Sequence, residues 1–442
     1  MQGTRPGTVR IAGHTMEPHG GLPEGLDVKL YNTLRRRVEA FEPTGDEVGI
    51  YVCGITPYDA THLGHALTYV LSDVLIRFLR SRGHRIRYVQ NLTDIDDAIL
   101  RAARKRNEDW KELGRWWTDY YIQDMKTLNV LPPDHFPRAT EHIDSMQRVI
   151  RTLLSEGVAY ESRGAVYFDT ASWDDFGKLS RLEAGKMLPV ANEHGNNPED
   201  PRKRRPLDFA LWKAREEGEP SWESPWGPGR PGWHIECSTM ATEYLGDTVD
   251  IHGGGTDLVF PHHEGEIAQS ECATHRLFAR FWFHTAMLRH EGEKMSKSTG
   301  NLVMARDLLA RHSPDALRLY LTGHHYRDSW EHGQEELARA QETADRIRRA
   351  AEISGHGEAS SVLDPEEEQR RFRERIADDL DTPGAIRSLE ALADRVLEGS
   401  VRDADPSAAQ EALREMGEIL GLRLGPAEPE REVEEGWDRH RH

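Results

Sequence analysis

The sequence predicts an α/β fold, in which a parallel sheet carries a helical insertion and is followed by a helical bundle. Residues 48–56 combine apolar and β-branched side chains over the length of a short buried strand. Residues 65–82 then carry apolar side chains at helical spacing, and residues 85–90 resemble a second strand. Because ligands of such sheets bind at the carboxyl ends of the strands, we expect a site near residues 53–65.

The remaining chain is divided by changes in composition. Strand-like segments at 249–252 and 281–288 are expected to return to the sheet, and the pattern is helical from Ser313 onward. A Gly-, Ser- and acid-rich stretch at 354–365 predicts a linker. The expected units are an N-terminal extension (1–29), an α/β domain (30–310, with an insertion at about 98–225), a helical region (311–353), a helical bundle (354–425) and a disordered acidic tail (426–442).

Composition excludes several classes of protein. The 442 residues include 57 Lys and Arg against 76 Asp and Glu, and the net charge of −19 disfavours a sequence-blind nucleic-acid coat. No apolar run approaches the roughly 18 to 20 residues of a membrane helix, and the first residues lack the apolar core of a signal peptide. Three widely spaced cysteines do not form a disulfide framework. We therefore expect a cytoplasmic protein without membrane contact.

The first candidate motif lies where the first strand meets the first helix. His62, Gly64 and His65 belong to the sequence His-Leu-Gly-His. A helix N-terminus presents backbone N–H groups and a positive dipole end, which suit a phosphate group. A pair of histidines in such a place is also common for structural reasons, so the motif alone is weak evidence.

The second candidate motif is Lys294-Met295-Ser296-Lys297-Ser298. A polar loop with two lysines can close on a triphosphate and stabilise the charge that develops on leaving pyrophosphate. By itself the pentamer is more often a solvated turn. Together, in this order, the two motifs form the two-part signature of class I aminoacyl-tRNA synthetases.

A third group of residues offers metal ligands. Cys53 ends the first strand, Cys237 follows Trp233-His234-Ile235-Glu236, and His262 and Glu266 are four residues apart on one helical face. Two thiolates, an imidazole and a carboxylate are a plausible Zn²⁺ set. The alternative is that the cysteines are small buried apolar residues, and this reading holds for Cys272, which has no partner by sequence.

The glycine run 253–255 follows a predicted strand. It permits close approach of the backbone to a nucleotide, and Asp257 can accept hydrogen bonds from ribose hydroxyls.

In this order the motifs resemble cysteinyl-tRNA synthetase and its relative, the mycothiol-pathway ligase that joins cysteine to glucosaminyl-inositol. The resemblance covers about residues 30–422. It implies a Rossmann-like (HUP-type) catalytic domain, a helical region at 311–353 that contacts the RNA stem, and activation of cysteine by ATP, with Mg²⁺, to cysteinyl-adenylate and pyrophosphate. It also implies one Zn²⁺ per chain, which would bind the substrate thiolate directly.

The same resemblance implies a role for each site residue. The metal positions are Cys53, Cys237, His262 and Glu266. The catalytic positions are His62 and His65, for the α-phosphate, and Lys294 and Lys297, for pyrophosphate. The substrate and ATP positions are Thr56, Thr68, Trp233, Gly255 and Asp257, again with Lys297.

Different segments of the sequence indicate two different acceptors of the cysteinyl group. Residues 30–34 and 91–97 and the intact pair of His262 and Glu266 are similar to the tRNA enzyme, whereas residues 55–63 are similar to the mycothiol ligase. We expect tRNA(Cys) as the acceptor, with a small amine such as glucosaminyl-inositol as the alternative. The tRNA enzymes usually end in a basic module, but residues 428–435 are acidic. We therefore do not expect anticodon recognition.

Two other classes of function stay open. One is a nucleotidyltransferase of the wider HxGH superfamily that activates a different substrate. The other is a non-catalytic paralogue that binds RNA or a partner protein. Pyrophosphate exchange that depends on cysteine would exclude both.

Overall fold

A computed structural model describes residues 27–295, 300–354, 361–401, 404–424 and 436–437. The strands are β1 (Lys29–Asn32), β2 (Arg37–Ala40), β3 (Glu47–Ile55), β4 (Arg85–Leu92), β5 (Ala159–Ser162), β6 (Ala165–Phe168), β7 (Phe209–Ala214), β8 (Gly229–Pro231), β9 (Val249–Gly255), β10 (Ala279–Thr285), β11 (Leu288–His290), β12 (Glu293–Lys294), β13 (Trp330–Glu331), β14 (Ser361–Val362) and β15 (Ala404–Asp405). The helices are α1 (Leu63–Ser81), α2 (Asp97–Arg106), α3 (Trp110–Thr127), α4 (Ile143–Ser155), α5 (Ala184–Glu193), α6 (Trp233–Leu245), α7 (Glu264–Thr274), α8 (Ala305–Leu309), α9 (Pro314–Thr322), α10 (Gln334–Glu352), α11 (Glu366–Ala377), α12 (Thr382–Val401) and α13 (Ser407–Ile419).

The central sheet is parallel and has the strand order β10-β9-β3-β4. The helix α1 connects β3 to β4, which is the predicted order of strand, helix and strand. The strands β9 and β10 return to the sheet from beyond the insertion, as expected. The predicted α/β class with a parallel sheet is therefore confirmed.

The strand β3 shows why both faces of this sheet are covered. Its alternate residues Val48, Ile50 and Val52 belong to the apolar core that includes α1. Tyr51 and Cys53 belong to a second core, which includes residues of α6 and α7. Successive side chains of a strand point to opposite faces, so this alternation directs the Cys53 thiol toward α6 and α7.

The insertion contains a sheet that the sequence analysis does not predict. Helices α2, α3 and α4 agree with the expected helical pattern, but an antiparallel sheet with the order β5-β6-β7-β8 follows them. Its strands are three to six residues long. Strands this short carry too few alternating positions for a clear period of two, which explains why they were missed.

The helices α9 to α13 pack on the side of the sheet that α1 covers. Leu317, Ile347, Phe372, Leu389 and Leu413 share one apolar core with α1, and α9 and α13 contact α1 directly. The predicted linker at 354–365 lies partly outside the described residues. Among the described residues, no helix is both long enough and apolar enough to cross a membrane.

One residue of the predicted disordered tail is packed. The Trp437 side chain is fully buried, and its Nε1 donates to the Val130 carbonyl oxygen over 3.0 Å. Its ring lies edge-on to Tyr121 and Phe136, with centroid distances of 5.9 and 5.8 Å. Except for Gly436 and Trp437, residues 425–442 lie outside the described part of the chain.

A buried ion pair joins α1 to the C-terminal helices. The Arg318 guanidinium, which is fully buried, contacts the Asp73 carboxylate over 2.5 Å and donates to the carbonyl oxygens of Leu420 and Leu128 over 2.7 and 2.8 Å. The other Asp73 oxygen accepts from the Leu131 backbone N–H over 2.9 Å. This pair therefore ties α1, α9 and the chain after α13 together.

We expect Asp73→Ala to lower the free energy of unfolding by about 3–5 kcal/mol, because it leaves the Arg318 charge buried without its partner. Urea denaturation followed by circular dichroism measures the change. Glu367→Ala is the control, since Glu367 pairs with Arg371 at the surface and exposed pairs contribute little. Equal stability of both variants would contradict the role of the buried pair.

Candidate functional site

The carboxyl end of β3 and the start of α1 form one side of the site. His62 caps α1, and its Nδ1 accepts hydrogen bonds from the backbone N–H groups of Gly64 and His65, over 3.1 and 3.4 Å. The Leu63 N–H donates to the Val303 carbonyl oxygen over 2.8 Å. The backbone N–H groups at this helix start are thus engaged within the chain, and the binding of phosphate there stays a prediction.

The two histidines of the motif have defined states. Their rings stack with a centroid distance of 3.7 Å. Because Nδ1 of His62 accepts, the neutral ring carries its proton on Nε2. Burial lowers the pKa of His65 to about 4, and the nearby Asp257 carboxylate opposes this shift only in part. The His65 imidazole is therefore neutral at pH 7.

The residues assigned to nucleotide binding lie close together. A methyl group on Gly255 would lie 2.5 Å from the Asp257 carboxylate and 4.0 Å from the Thr68 hydroxyl. The Thr68 hydroxyl is 2.8 Å from the Thr285 hydroxyl at the end of β10. The absence of a side chain at Gly255 thus allows the side chains of Asp257 and Thr68 to converge at the edge of the sheet, and the binding of a nucleotide there stays a prediction.

The lysine motif is only partly described. Lys294 lies in β12, and Met295 is buried in the core that includes α1. Lys297 lies outside the described residues, so its assigned role stays a prediction.

The four predicted metal ligands meet in space. The ligand atoms of Cys53, Cys237, His262 and Glu266 all lie within 4.8 Å of one another. Each of these side chains is at most 5% exposed. Strand β3 supplies Cys53, α6 supplies Cys237, and α7 supplies Glu266. His262 comes from the short π-helix Val259–His263, which runs directly into α7.

A second set shares two of these residues. The ligand atoms of Cys53, His252, His263 and Glu266 also lie within 4.8 Å of one another. Neither His252 nor His263 is predicted from the sequence to be a metal ligand. The hydrogen bonds of each imidazole distinguish the two sets, because a histidine that binds a metal through one nitrogen usually donates the N–H of the other.

His262 meets this requirement and His252 does not. Nδ1 of His262 lies 2.9 Å from Nδ1 of His234, so His262 can donate there and keep Nε2 for an ion. Nδ1 of His252 is buried and has no partner among the described residues, while its Nε2 lies 3.6 Å from Cys53 Sγ and 3.4 Å from Glu266 Oε2. His252 is thus better placed to donate to the ligands than to be one.

The electrostatics of the cluster fit a cation. Burial raises the pKa of both thiols, Cys53 and Cys237. The Oε2 atom of Glu266 is buried and accepts no well-aligned hydrogen bond from the described residues, although Nε2 of His252 lies 3.4 Å away. Burying such groups without a compensating charge is costly. A divalent cation bound by all four would stabilise the thiolates and the carboxylate, so the chemistry of the set suits Zn²⁺.

A cavity of about 500 Å³ opens beside the cluster. Trp233 and Thr56 line it, and the Trp233 ring stacks on the His262 ring with a centroid distance of 4.1 Å. The insertion contributes polar walls, among them His194, Asp200 and Lys203. Trp233 therefore contacts both the predicted ligand His262 and this polar chamber.

Sequence reasoning missed the histidines and the threonine behind the ligands. His234 was quoted only as a neighbour of Cys237, and neither His284 nor Thr33 was singled out. Nδ1 of His263 lies 2.7 Å from Nε2 of His284, and Nδ1 of His284 lies 2.8 Å from the Thr33 hydroxyl. No local pattern marks these residues, since they come from separate elements.

Comparisons with known proteins identify the family of the chain. Residues 40–342 match the family model of the catalytic domain of class I (C) tRNA synthetases. The chain is 43% identical over 433 residues, 96% of both chains, to the L-cysteine:1D-myo-inositol 2-amino-2-deoxy-alpha-D-glucopyranoside ligase of Parafrankia sp.. It is 42% identical over 417 residues to the cysteine--tRNA ligase of Thermococcus onnurineus, which covers 90% of this chain and 87% of the relative.

The fold has distant relatives among solved structures. Mycobacterium tuberculosis methionyl-tRNA synthetase in complex with methionyl-adenylate aligns with a TM-score of 0.60 at 19% identity, over 85% of this chain and 89% of that one. Taken with the family match, the parallel sheet and the order of its motifs lead to one conclusion: the chain belongs to the class I tRNA synthetase family of ligases, in the group with the (C)-type catalytic domain.

Proposed function

We propose that the protein activates cysteine with ATP in a zinc-dependent reaction and transfers the cysteinyl group to tRNA(Cys). The single observation that carries this proposal is the buried set of Cys53, Cys237, His262 and Glu266 beneath Trp233. A zinc ion held there would bind the thiolate of the substrate. Because soft metal–thiolate bonds are much stronger than bonds to an alcohol, the site would reject serine.

The substrate pocket is formed by groups already in place. Trp233 packs on His262 and bounds the space beside the cluster, which suits a side chain as small as that of cysteine. Thr56 follows β3 and lines the same cavity, where it would orient the amino acid. Both residues keep the substrate carboxylate directed toward the nucleotide side of the site, at the edge of the sheet.

The activation step needs positioning and charge stabilisation. The substrate carboxylate oxygen attacks the α-phosphorus of ATP, a bond to the phosphoanhydride oxygen breaks, and pyrophosphate leaves with its Mg²⁺. His62, with its proton on Nε2, and the neutral His65 would donate hydrogen bonds to the α-phosphate oxygens. Gly255, Asp257 and Thr68 would hold the nucleoside, and Lys294 and Lys297 would stabilise the leaving pyrophosphate.

The acceptor step has two candidates. Transfer to a tRNA ribose hydroxyl forms an ester and releases AMP, and the intact Glu266 position supports this choice. Transfer to a small amine forms an amide. The relative named as an inositol glucosaminide ligase matches 96% of both chains, and this observation keeps an amine as the second candidate. The polar cavity beside Trp233 has room for either acceptor end.

The ligand assignment predicts the effect of Cys237→Ser. This variant should lose stoichiometric zinc and cysteine-dependent exchange of pyrophosphate into ATP, because a serine hydroxyl is a poor zinc ligand. Cys272→Ser is the matched control, since Cys272 is buried in α7 but belongs to neither ligand set. Metal analysis and the exchange assay provide the readouts. Full zinc and normal exchange in Cys237→Ser would contradict the assignment.

The acceptor is tested with labelled cysteine and ATP. We expect wild-type protein to form acid-precipitable cysteinyl-RNA with bulk tRNA, and the bond should break in mild base because it is an ester. Glucosaminyl-inositol and simple amines serve in parallel reactions. A base-stable amide with an amine, and no labelled RNA, would establish the second candidate instead. Exchange that proceeds equally well with serine would refute cysteine selection.

The state of His65 predicts a pH dependence. The pKa of His65 is about 4 in the folded protein and about 6.5 in the unfolded chain. Between pH 4 and pH 6.5, this ring therefore binds a proton more readily in the unfolded chain. The contribution of His65 to stability is therefore complete above pH 6.5 and declines as the pH falls toward 4. Histidine NMR spectra, assigned with His65→Gln, should show no titration of this ring above pH 5. A midpoint near 6.5 would contradict its burial.

A further inference from the structure

A chain of hydrogen bonds runs from the hairpin of β1 and β2 to a predicted metal ligand. The Thr33 hydroxyl lies 2.8 Å from Nδ1 of His284. Nε2 of His284 lies 2.7 Å from Nδ1 of His263, and Nε2 of His263 lies 3.3 Å from Cys53 Sγ. Both histidines are at most 5% exposed. Thr33, in the turn between β1 and β2, is thus linked to Cys53 through two buried histidines.

The two imidazoles constrain one another. A neutral imidazole has one donor nitrogen and one acceptor nitrogen. If His284 donates to His263, its other nitrogen must accept from Thr33, and His263 must then present an N–H to Cys53. If His284 instead accepts from His263, Nε2 of His263 presents a lone pair. The hydrogen bonds of the chain therefore all point toward Cys53 or all point toward Thr33.

Only one direction suits a metal-bound thiolate. A thiolate at Cys53 has no proton to donate, so a lone pair on His263 would face a negative sulfur. An N–H on His263 would instead donate to that sulfur and stabilise its charge. The direction that starts at the Thr33 hydroxyl is thus the one compatible with Cys53 as a ligand.

We propose that Thr33 is a positioning residue of the metal centre, whose hydroxyl donates to His284 and thereby makes His263 a hydrogen-bond donor to the Cys53 thiolate rather than a metal ligand. This inference rests on the proposed zinc-dependent function. It explains why His263 lies within the second ligand set without binding the ion. It also assigns a role to the buried His284, which belongs to no sequence motif.

The position of Thr33 is fixed from two sides. Its backbone N–H donates to the Trp282 carbonyl oxygen over 3.1 Å. The side-chain amide of the preceding Asn32 donates to the Arg280 carbonyl oxygen over 2.8 Å, and the Tyr31 backbone N–H donates to Asp379 over 2.7 Å. The hairpin is therefore held against β10, which carries His284, and against the turn between α11 and α12.

Thr33→Val tests the proposal, because valine keeps the shape of threonine and removes the hydroxyl. The His284 ring then has no donor at Nδ1, and the chain of hydrogen bonds can reverse. We expect zinc affinity, measured by competition with a chelator, to fall about 10-fold, as is typical when a partner behind a ligand is lost. In cobalt-loaded protein, the thiolate-to-metal charge-transfer band should shift. Thr33→Ser should restore both measurements.

The matched control is Thr248→Val. The Thr248 hydroxyl also makes a hydrogen bond, to the Leu277 carbonyl oxygen over 2.6 Å, but it lies outside the cluster, so metal affinity and the cobalt spectrum should not change. Circular dichroism verifies that each variant is folded. Wild-type affinity and an unchanged cobalt spectrum in Thr33→Val, or a Thr33→Ser variant that is equally defective, would overturn the proposal.

A second variant keeps the test decisive if Thr33→Val does not fold. A glutamine at His263 can still donate an N–H, so His263→Gln should retain one metal ion per chain. Loss of the metal to the extent seen in Cys237→Ser would make His263 a ligand and overturn the inference. Wild-type protein that binds neither zinc nor cobalt would instead refute the proposed function.

Discussion

The burial of a cluster of thiols, imidazoles and a carboxylate is the constraint on which the site depends. Cys53, Cys237, His252, His262 and Glu266 are almost entirely shielded from water. Without compensation, such groups would favour their neutral forms and weaken the fold, and burial does raise the pKa of both cysteine thiols. A bound cation would convert this cost into a selective binding site for sulfur. The hydrogen bonds between His262 and His234 and between His263 and His284 would then matter as much as the ligands, because each fixes which nitrogen of a ring carries a proton.

The parallel sheet brings these groups together through its alternation. In β3, the residues that face α1 build the larger apolar core, and those that face α6 and α7 lead to Cys53. The end of the same strand continues into the loop that carries His62, so the side of the site proposed to bind sulfur and the side proposed to bind phosphate are separated by only a few residues of the chain. The C-terminal helices hold this arrangement in place through the Asp73–Arg318 pair and through the contact of Asp379 with Tyr31.

The parts of the site that were predicted are those with a local pattern. His262 and Glu266 are four residues apart, so one helix suffices to align them. Cys53 could be placed because it ends a recognisable strand. His284 and Thr33 are 251 residues apart in the chain, and their meeting depends on a hairpin docking beside β10. The short strands of the insertion also escaped prediction, since three to six residues give too few alternating positions.

The sequence by itself determined the α/β class and the strand–helix–strand unit that opens the central sheet, because periodicity depends on neighbours along the chain. It also named the four residues that meet in the first ligand set, through their residue types and the resemblance to a known family. Only the tertiary structure decided which histidines lie beside that set, that the amides at the start of α1 are engaged by His62, and that Trp437 packs beside α3. These features depend on the directions of hydrogen bonds and on contacts between distant elements, and a linear pattern does not record either.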